Sequence, residues 1–250
     1  EFGEGMDYTL RCQQHKIVGI LNGIDYTAFD PKKDKAIAKN YDVRSLISGK
    51  AENKKKVMEY FSLEYNEERP LIAMVSRLVD QKGLDLIRAA EDELQMIPAD
   101  FIFLGSGDKN LENLLIWLSN NTPNIRAHIG YDAKLANLMY AGSDMFLMPS
   151  KFEPCGLSQL IAMRYGSLPI VRATGGLDNT VVGTPQEDAT GFKFWRYNPW
   201  DMKEAIYYAI SVYHNKKAFN QMQKNAMKAD FSWKVSSEKY MDMYKELLEK

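Results

Sequence analysis

Two cysteines, Cys12 and Cys155, are all that 250 residues contain, and they lie far apart in no metal-ligand spacing. That excludes a disulfide scaffold and a zinc ribbon, and it points to a reducing compartment. The histidines His15, His128 and His214 are equally scattered, and there is no Asp-x-Asp pair. Neither a histidine metal site nor a carboxylate pair holding a divalent ion is therefore expected. No apolar run approaches the roughly 18 residues of a membrane span. The longest, such as Leu71–Val75, have strand length. An excess of one charge is missing too: 32 Lys and Arg stand against 33 Asp and Glu, a net charge of -1. No global basic field attracts nucleic acid. The start is polar, with Glu1, Glu4 and Asp7, and unlike a signal peptide. Because it opens on Glu rather than Met, we expect a fragment.

What is present is ordinary globular material, 45% hydrophobic and 12% aromatic. At ~100–200 residues per domain, the length suggests one large domain or two small ones. Short apolar runs alternate with longer amphipathic stretches. The runs Ile17–Leu21, Leu71–Val75, Phe101–Leu104, Ile125–Ile129, Met145–Met148 and Leu168–Val171 read as strands. Helical patterns fall at Ala51–Phe61, Leu84–Met96, Asn110–Ser119, Ala133–Ala141 and Leu157–Tyr165. After Phe194 the pattern is helical to the end, through Asp201–His214, Lys216–Lys228 and Lys234–Leu248. Continuously apolar strands are those covered by helices on both faces. Their alternation with helices predicts right-handed parallel crossovers and an α/β, doubly wound parallel sheet. The polar stretch Asp30–Lys50 reads as a long connection, Lys54–Lys56 as a solvated helix face, and Ser232 as an N-cap with Phe231 packing before it.

In such a sheet ligands bind beyond the carboxyl ends of the strands, near the point where strand order reverses. The loops after the strands therefore hold the candidates. After Leu71–Val75, Arg77 and Lys82 stand five residues apart with Gly83 at a helix start. They suit a phosphate or diphosphate, one with a bidentate fork and one with a compact charge, or they are two surface cations. Gly105-Ser106-Gly107-Asp108 lacks the third glycine of a dinucleotide fingerprint and reads most simply as a tight turn. Tyr131 could stack on a nucleobase or be a partly buried tyrosine. The richest loop is Pro149 to Gln159, with Glu153 and a helix beginning near Gly156 whose backbone N–H groups could bind an anion. Cys155 has no nearby histidine in the sequence to activate it and reads as a small packed residue. The glycines of Thr174-Gly175-Gly176 could expose backbone donors to a ligand or make a plain turn.

Taken in order, these segments resemble the C-terminal half of bacterial glycogen synthases and plant starch synthases. The likeness runs from Leu21-Asn22-Gly23-Ile24-Asp25 through Ser76-Arg77-Leu78, Gln81-Lys82-Gly83-Leu84 and Gly105-Ser106-Gly107-Asp108. Its most specific stretch is Pro149-Ser150-Lys151-Phe152-Glu153-Pro154-Cys155-Gly156-Leu157, followed by Thr174-Gly175-Gly176-Leu177 and Phe231-Ser232-Trp233. The resemblance implies the Rossmann-like, nucleotide-sugar-binding C-terminal domain of a GT-B glycosyltransferase over residues 1–230. Residues 231–250 are then a helix packing back toward an absent N-terminal domain. It implies retaining transfer of glucose from ADP-glucose to the non-reducing end of an α-1,4-glucan, without metal or other cofactor. Arg77 and Lys82 then neutralise the leaving phosphate, and Leu157 and Ser158 supply backbone donors to the phosphates. Tyr131 stacks on adenine, Glu153 holds the glucose 3-hydroxyl, Cys155 and Gly156 donate N–H groups to the sugar, and Asn22 lies near the sugar from the interdomain side.

Two departures narrow the likeness. Related transferases often carry a second Glu eight positions after the first, where this chain has Ile161, as glycogen and starch synthases also lack it. Asn179 stands where the family pattern has Asp. The family's N-terminal Lys-x-Gly-Gly-Leu loop and most of its glucan-binding face are not in these residues, so the chain alone is expected to keep some nucleotide affinity but to transfer little or no glucose. Alternatives are a UDP-glucose-dependent transferase and a non-catalytic nucleotide-sugar-binding module. The expected location is the cytoplasm, or the plastid for a plant protein, with no nucleic acid or membrane partner.

Overall fold

A computed structural model of the protein describes residues 5–249; Glu1 and Glu4 of the polar start lie outside them. Six parallel strands form one sheet among the described residues: β1 (Leu71–Val75), β2 (Asp100–Gly105), β3 (Ile125–Ile129), β4 (Met145–Met148), β5 (Leu168–Arg172) and β6 (Phe192–Phe194). Their order is β3-β2-β1-β4-β5-β6. Leu71 pairs with Asp100 on one side, and Ile72 with Met145 on the other. Strand order reverses at β1 and β4, so the crevice of a doubly wound sheet opens at their carboxyl ends.

Successive residues of β1, β4 and β5 are buried, so helices cover both faces as the continuous apolar runs require. The helices are α1 (Asp7–Cys12), α2 (Leu46–Tyr60), α3 (Leu84–Ala89), α4 (Glu91–Leu94), α5 (Lys109–Asn121), α6 (Ala133–Gly142), α7 (Ser158–Arg164), α8 (Gly175–Thr180), α9 (Pro199–His214), α10 (Lys216–Lys228) and α11 (Trp233–Leu248). Local chemistry places several of their starts. The Asp108 carboxylate accepts the N–H groups of Asn110 and Leu111 to begin α5, and Asp132 accepts those of Lys134 and Leu135 to begin α6. Such caps contribute about 1 kcal/mol each. Asn198 caps α9, with Pro199 at its first position, where a missing N–H costs nothing. The largest fully buried side chains include Phe101, Phe103, Phe146, Tyr165 and Phe192.

Several expectations are corrected. Ile17–Leu21 is apolar but not a strand: Ile17 and Val18 are exposed, and no neighbouring strand offers a ladder. This segment is instead tied to the start of α11, where the Ile24 N–H donates to Phe231 O at 2.8 Å and the Ser236 hydroxyl to Leu21 O at 2.8 Å. Leu84–Met96 is two short helices that break at Ala90. The connection after Asp30 ends at Ser45, and α2 starts earlier than Ala51. Lys54 is not on a solvated face, because it is buried against Asp144 at 2.8 Å, whereas Lys55 and Lys56 are exposed. Ser232 occupies the N-cap position of α11, but its hydroxyl makes no cap bond. Gly175 and Gly176 lie in α8 rather than in a plain turn, and β6 was not anticipated. No helix among the described residues is long and apolar enough to cross a membrane.

Candidate functional site

The loop after β1 carries Arg77 and Lys82, and backbone bonds to the loop after β2 hold it in place. Ser76 N–H donates to Leu104 O at 3.1 Å, Leu78 N–H to Ser106 O at 2.9 Å, and Asp108 N–H to Leu78 O at 2.8 Å. This explains the Gly105-Ser106-Gly107 turn without a cofactor: a Cβ on Gly105 would lie 1.9 Å from Ser76 O. The glycines let one loop lie directly against the other.

The loop after β4 is joined to the same seam. Lys151 N–H donates to Gln81 O at 2.9 Å, and the Gln81 amide donates to Phe152 O at 3.3 Å. From the carboxyl end of β5, the Arg172 guanidinium donates to Ser150 O at 2.9 Å and also to Lys151 O. Behind the loop, Gly176 N–H donates to Glu153 O at 2.9 Å. The α8 glycines therefore brace the loop instead of offering that N–H to a ligand. Held this way, Glu153 is buried, with its Oε2 2.5 Å from Lys82 Nζ and 3.4 Å from the Ser150 hydroxyl.

Between these loops lies a cavity of about 210 Å³, lined by Arg77, Lys82, Ser150 and Ser158 over Met74, Leu147 and Met148. A second, of about 280 Å³, is lined by Arg77, Ser158, Gly105, Ser106, Gly130 and Tyr131. The two share Val75, Ser76, Arg77 and Ser158, so they form one cleft running from Lys82 to Tyr131 over the carboxyl ends of β4, β1 and β2. Beside Ser158, the Tyr140 hydroxyl is pushed up to about 12 by burial, against a smaller lowering from its bond to Ser158. It therefore stays protonated and polar at neutral pH.

The structure thus brings together Arg77, Lys82, Glu153, Ser158 and Tyr131. Tyr131 is 92% exposed at the far end, with a ring face open to a planar partner. Gly156 has φ +72°, and Leu157 occupies the N-cap of α7, which begins only at Ser158 and is seven residues long. Its backbone donors are therefore mostly loop peptides rather than a long helix terminus. Cys155 is half-buried, and its carbonyl accepts from Gln159. Asn22 is exposed on the segment tied to α11 and lines neither cavity. Sequence reasoning missed Tyr140 and Arg172. Tyr140 gave no signal, whereas an arginine closing an apolar strand run could have marked Arg172.

A family model described as glycosyl transferases group 1 matches residues 58–229, a span that holds all of these candidates except Asn22. The chain belongs to the group 1 glycosyl transferases. Similar relatives of this group 1 transferase include the glycogen synthases of Clostridium botulinum (strain Alaska E43 / Type E3), 46% identical over 250 residues, and Bacillus cereus (strain B4264), 45% identical over 251 residues. Each match covers 99% of this chain and 52% of the relative, so the chain spans about half the length of the curated relatives it matches. Among solved structures, the catalytic domain of starch synthase IV from Arabidopsis thaliana, bound to ADP and acarbose, aligns with a TM-score of 0.91 at 33% identity, over 99% of this chain and 52% of that one. The sheet is accordingly the Rossmann-like half of a GT-B glycosyltransferase.

Proposed function

We propose that this chain is the donor-binding half of a retaining glucosyltransferase that moves glucose from ADP-glucose to the non-reducing end of an α-1,4-glucan. The observation that carries the reading is the cleft at the β1–β4 reversal point, where Arg77, Lys82 and Ser158 line one cavity. ADP in the starch synthase structure supports the choice of nucleotide.

The chemistry follows from charge. As the bond between the glucose C1 and the distal phosphate oxygen breaks, negative charge grows on the diphosphate. Arg77 and Lys82 sit ready to neutralise it, together with the N–H groups of Leu157 and Ser158, and preorganised donors of this kind contribute a few kcal/mol each. Lys82 has three N–H donors, so its bond to Glu153 leaves two for phosphate oxygens. Glu153 faces the sugar and accepts from its 3-hydroxyl, the N–H groups of Cys155 and Gly156 donate to the sugar, and Tyr131 stacks on adenine. The acceptor 4-hydroxyl attacks C1 from the face the diphosphate leaves, and its proton passes to the departing phosphate. No side chain serves as nucleophile. Asn22 and α11 belong to the side facing the other half of the enzyme, which supplies most of the glucan contacts. The chain alone transfers no glucose.

The test is titration of the purified chain with ADP, UDP and NAD. ADP-selective binding, weakened about tenfold or more by Arg77→Ala with no change in melting temperature, supports the reading. Selective UDP binding would move the donor to UDP-glucose, and selective NAD binding or no nucleotide binding would overturn the reading.

A further inference from the structure

Gln159 is fully buried beneath the loop that carries Glu153 and Gly156. The two N–H groups of its side-chain Nε2 are shared among Cys155 O at 3.0 Å, Gly156 O at 3.0 Å and the Thr180 hydroxyl at 3.1 Å. Its Oε1 is buried and accepts no hydrogen bond among the described residues. Turning the amide over would set that oxygen against two carbonyl oxygens, so the network fixes its orientation. A Cβ on Gly156 would lie 2.4 Å from this same Oε1, and Gly156 already has φ +72°. A larger residue at 156 would therefore displace the Gln159 amide and strain the backbone.

Two consecutive peptide carbonyls, those of Cys155 and Gly156, thus point inward to one side-chain amide. In a planar trans peptide the N–H points opposite to the C=O. The N–H groups of Gly156 and Leu157 therefore face away from Gln159, and among the described residues they donate to no protein acceptor. A hydrophobic side chain would fill the same space without leaving an orphaned oxygen, but it would hold neither carbonyl.

We infer that Gln159 is a positioning residue for the donor: it draws the 155 and 156 carbonyls inward and so presents the Gly156 and Leu157 N–H groups to the sugar and diphosphate. This rests on the donor-site reading above. Gln159 touches no ligand itself, and Thr180 anchors its far side through a hydroxyl that donates to Gly176 O at 2.7 Å.

The experiment measures ADP and adenosine affinities for the purified chain, for Gln159→Leu and for Thr180→Val, with circular dichroism and melting curves for each. For Gln159→Leu we expect ADP to bind at least tenfold more weakly while adenosine binding stays within twofold. For Thr180→Val we expect a smaller loss with the same selectivity. A merely structural glutamine would lower both affinities together. Parallel losses, or ADP affinity unchanged in the folded variants, overturn the inference and leave the donor-site reading intact. If Gln159→Leu does not fold, the selectivity of Thr180→Val decides. A parent chain that binds no ADP overturns the donor-site reading and this inference with it.

Discussion

At each end of the β1–β4 pair a lysine meets a carboxylate, yet the two pairs are built differently. At the amino end Lys54, on α2, lies 2.8 Å from Asp144, which also accepts the Leu71 N–H that opens β1. Lys54 donates further to Arg69 O at 2.7 Å and to the Tyr213 hydroxyl at 3.3 Å. Nearby, Lys50 is buried and donates to the carbonyls of Tyr140, Ala141 and Tyr165. At the carboxyl end Lys82 meets Glu153 beside an open cleft that it lines with Arg77. A buried charge with its donors committed holds helix, strand and loop together. Cavities border both ends, the amino-end one being about 240 Å³ and lined by Lys50, Lys54 and Asp144, but only a charge with donors to spare is available to a ligand. Residue type alone does not separate the two cases; the number of partners does.

The largest effect should come from breaking the amino-end pair. Asp144→Ala leaves the buried Lys54 ammonium without its counter-charge and should cost about 3–5 kcal/mol in denaturant unfolding. In the folded fraction its ADP affinity should stay within twofold. A collapse of ADP binding under conditions where the variant is still folded would break the separation of the two ends.

Lys50 sharpens the contrast through pH. Burial lowers its pKa to about 7 from 10.5, with Lys54 adding to the lowering and Asp144 opposing it. Between those values the unfolded chain binds more protons than the folded one, so folding stability rises with pH. Relative to Lys50→Met, the parent chain should gain up to about 1.4 kcal/mol per pH unit across that window. The difference should level off above it, where Lys50 is neutral in both states, and below it, where Lys50 is charged in both. Parallel pH profiles would place Lys50 in water rather than in the core.

The smallest effect is expected at the cleft. Glu153→Gln removes the counter-charge from Lys82 and should tighten ADP binding severalfold at low salt, with a smaller loss of stability than Asp144→Ala because the Gln carbonyl can still accept from Lys82. Weaker binding would mean that Glu153 instead holds Lys82 in place for the phosphate.

Much of this was legible in the sequence because a sheet covered on both faces writes its strands as unbroken apolar runs. Met145–Met148 and Ile125–Ile129 appear with their expected bounds. The loops after those runs held the cleft residues, as the geometry of such sheets requires. β6 was hidden because Phe192-Lys193-Phe194 is three residues long and alternates. Ile17–Leu21 misled because a strand depends on a neighbour as much as on its own residues. The burial of Lys54 depends on Asp144, ninety positions away, and no local pattern announces that pairing. The glycines at 105, 175 and 176 read as turns or exposed donors, because nothing local shows that another loop lies against them.

The seam around the cleft consists largely of main-chain atoms: Ser76 to Leu104, Leu78 to Ser106, Lys151 to Gln81, Gly176 to Glu153. Apart from the glycines at 105, 107 and 176, where an added Cβ would strike the facing loop, and apart from proline, which lacks the N–H, side chains along these loops can be exchanged without unpicking the joint. Under the proposed function, the side chains that would choose base and sugar are thereby separable from the main-chain frame that holds their loops. A change of donor would then call for redecorating this frame and not for rebuilding it.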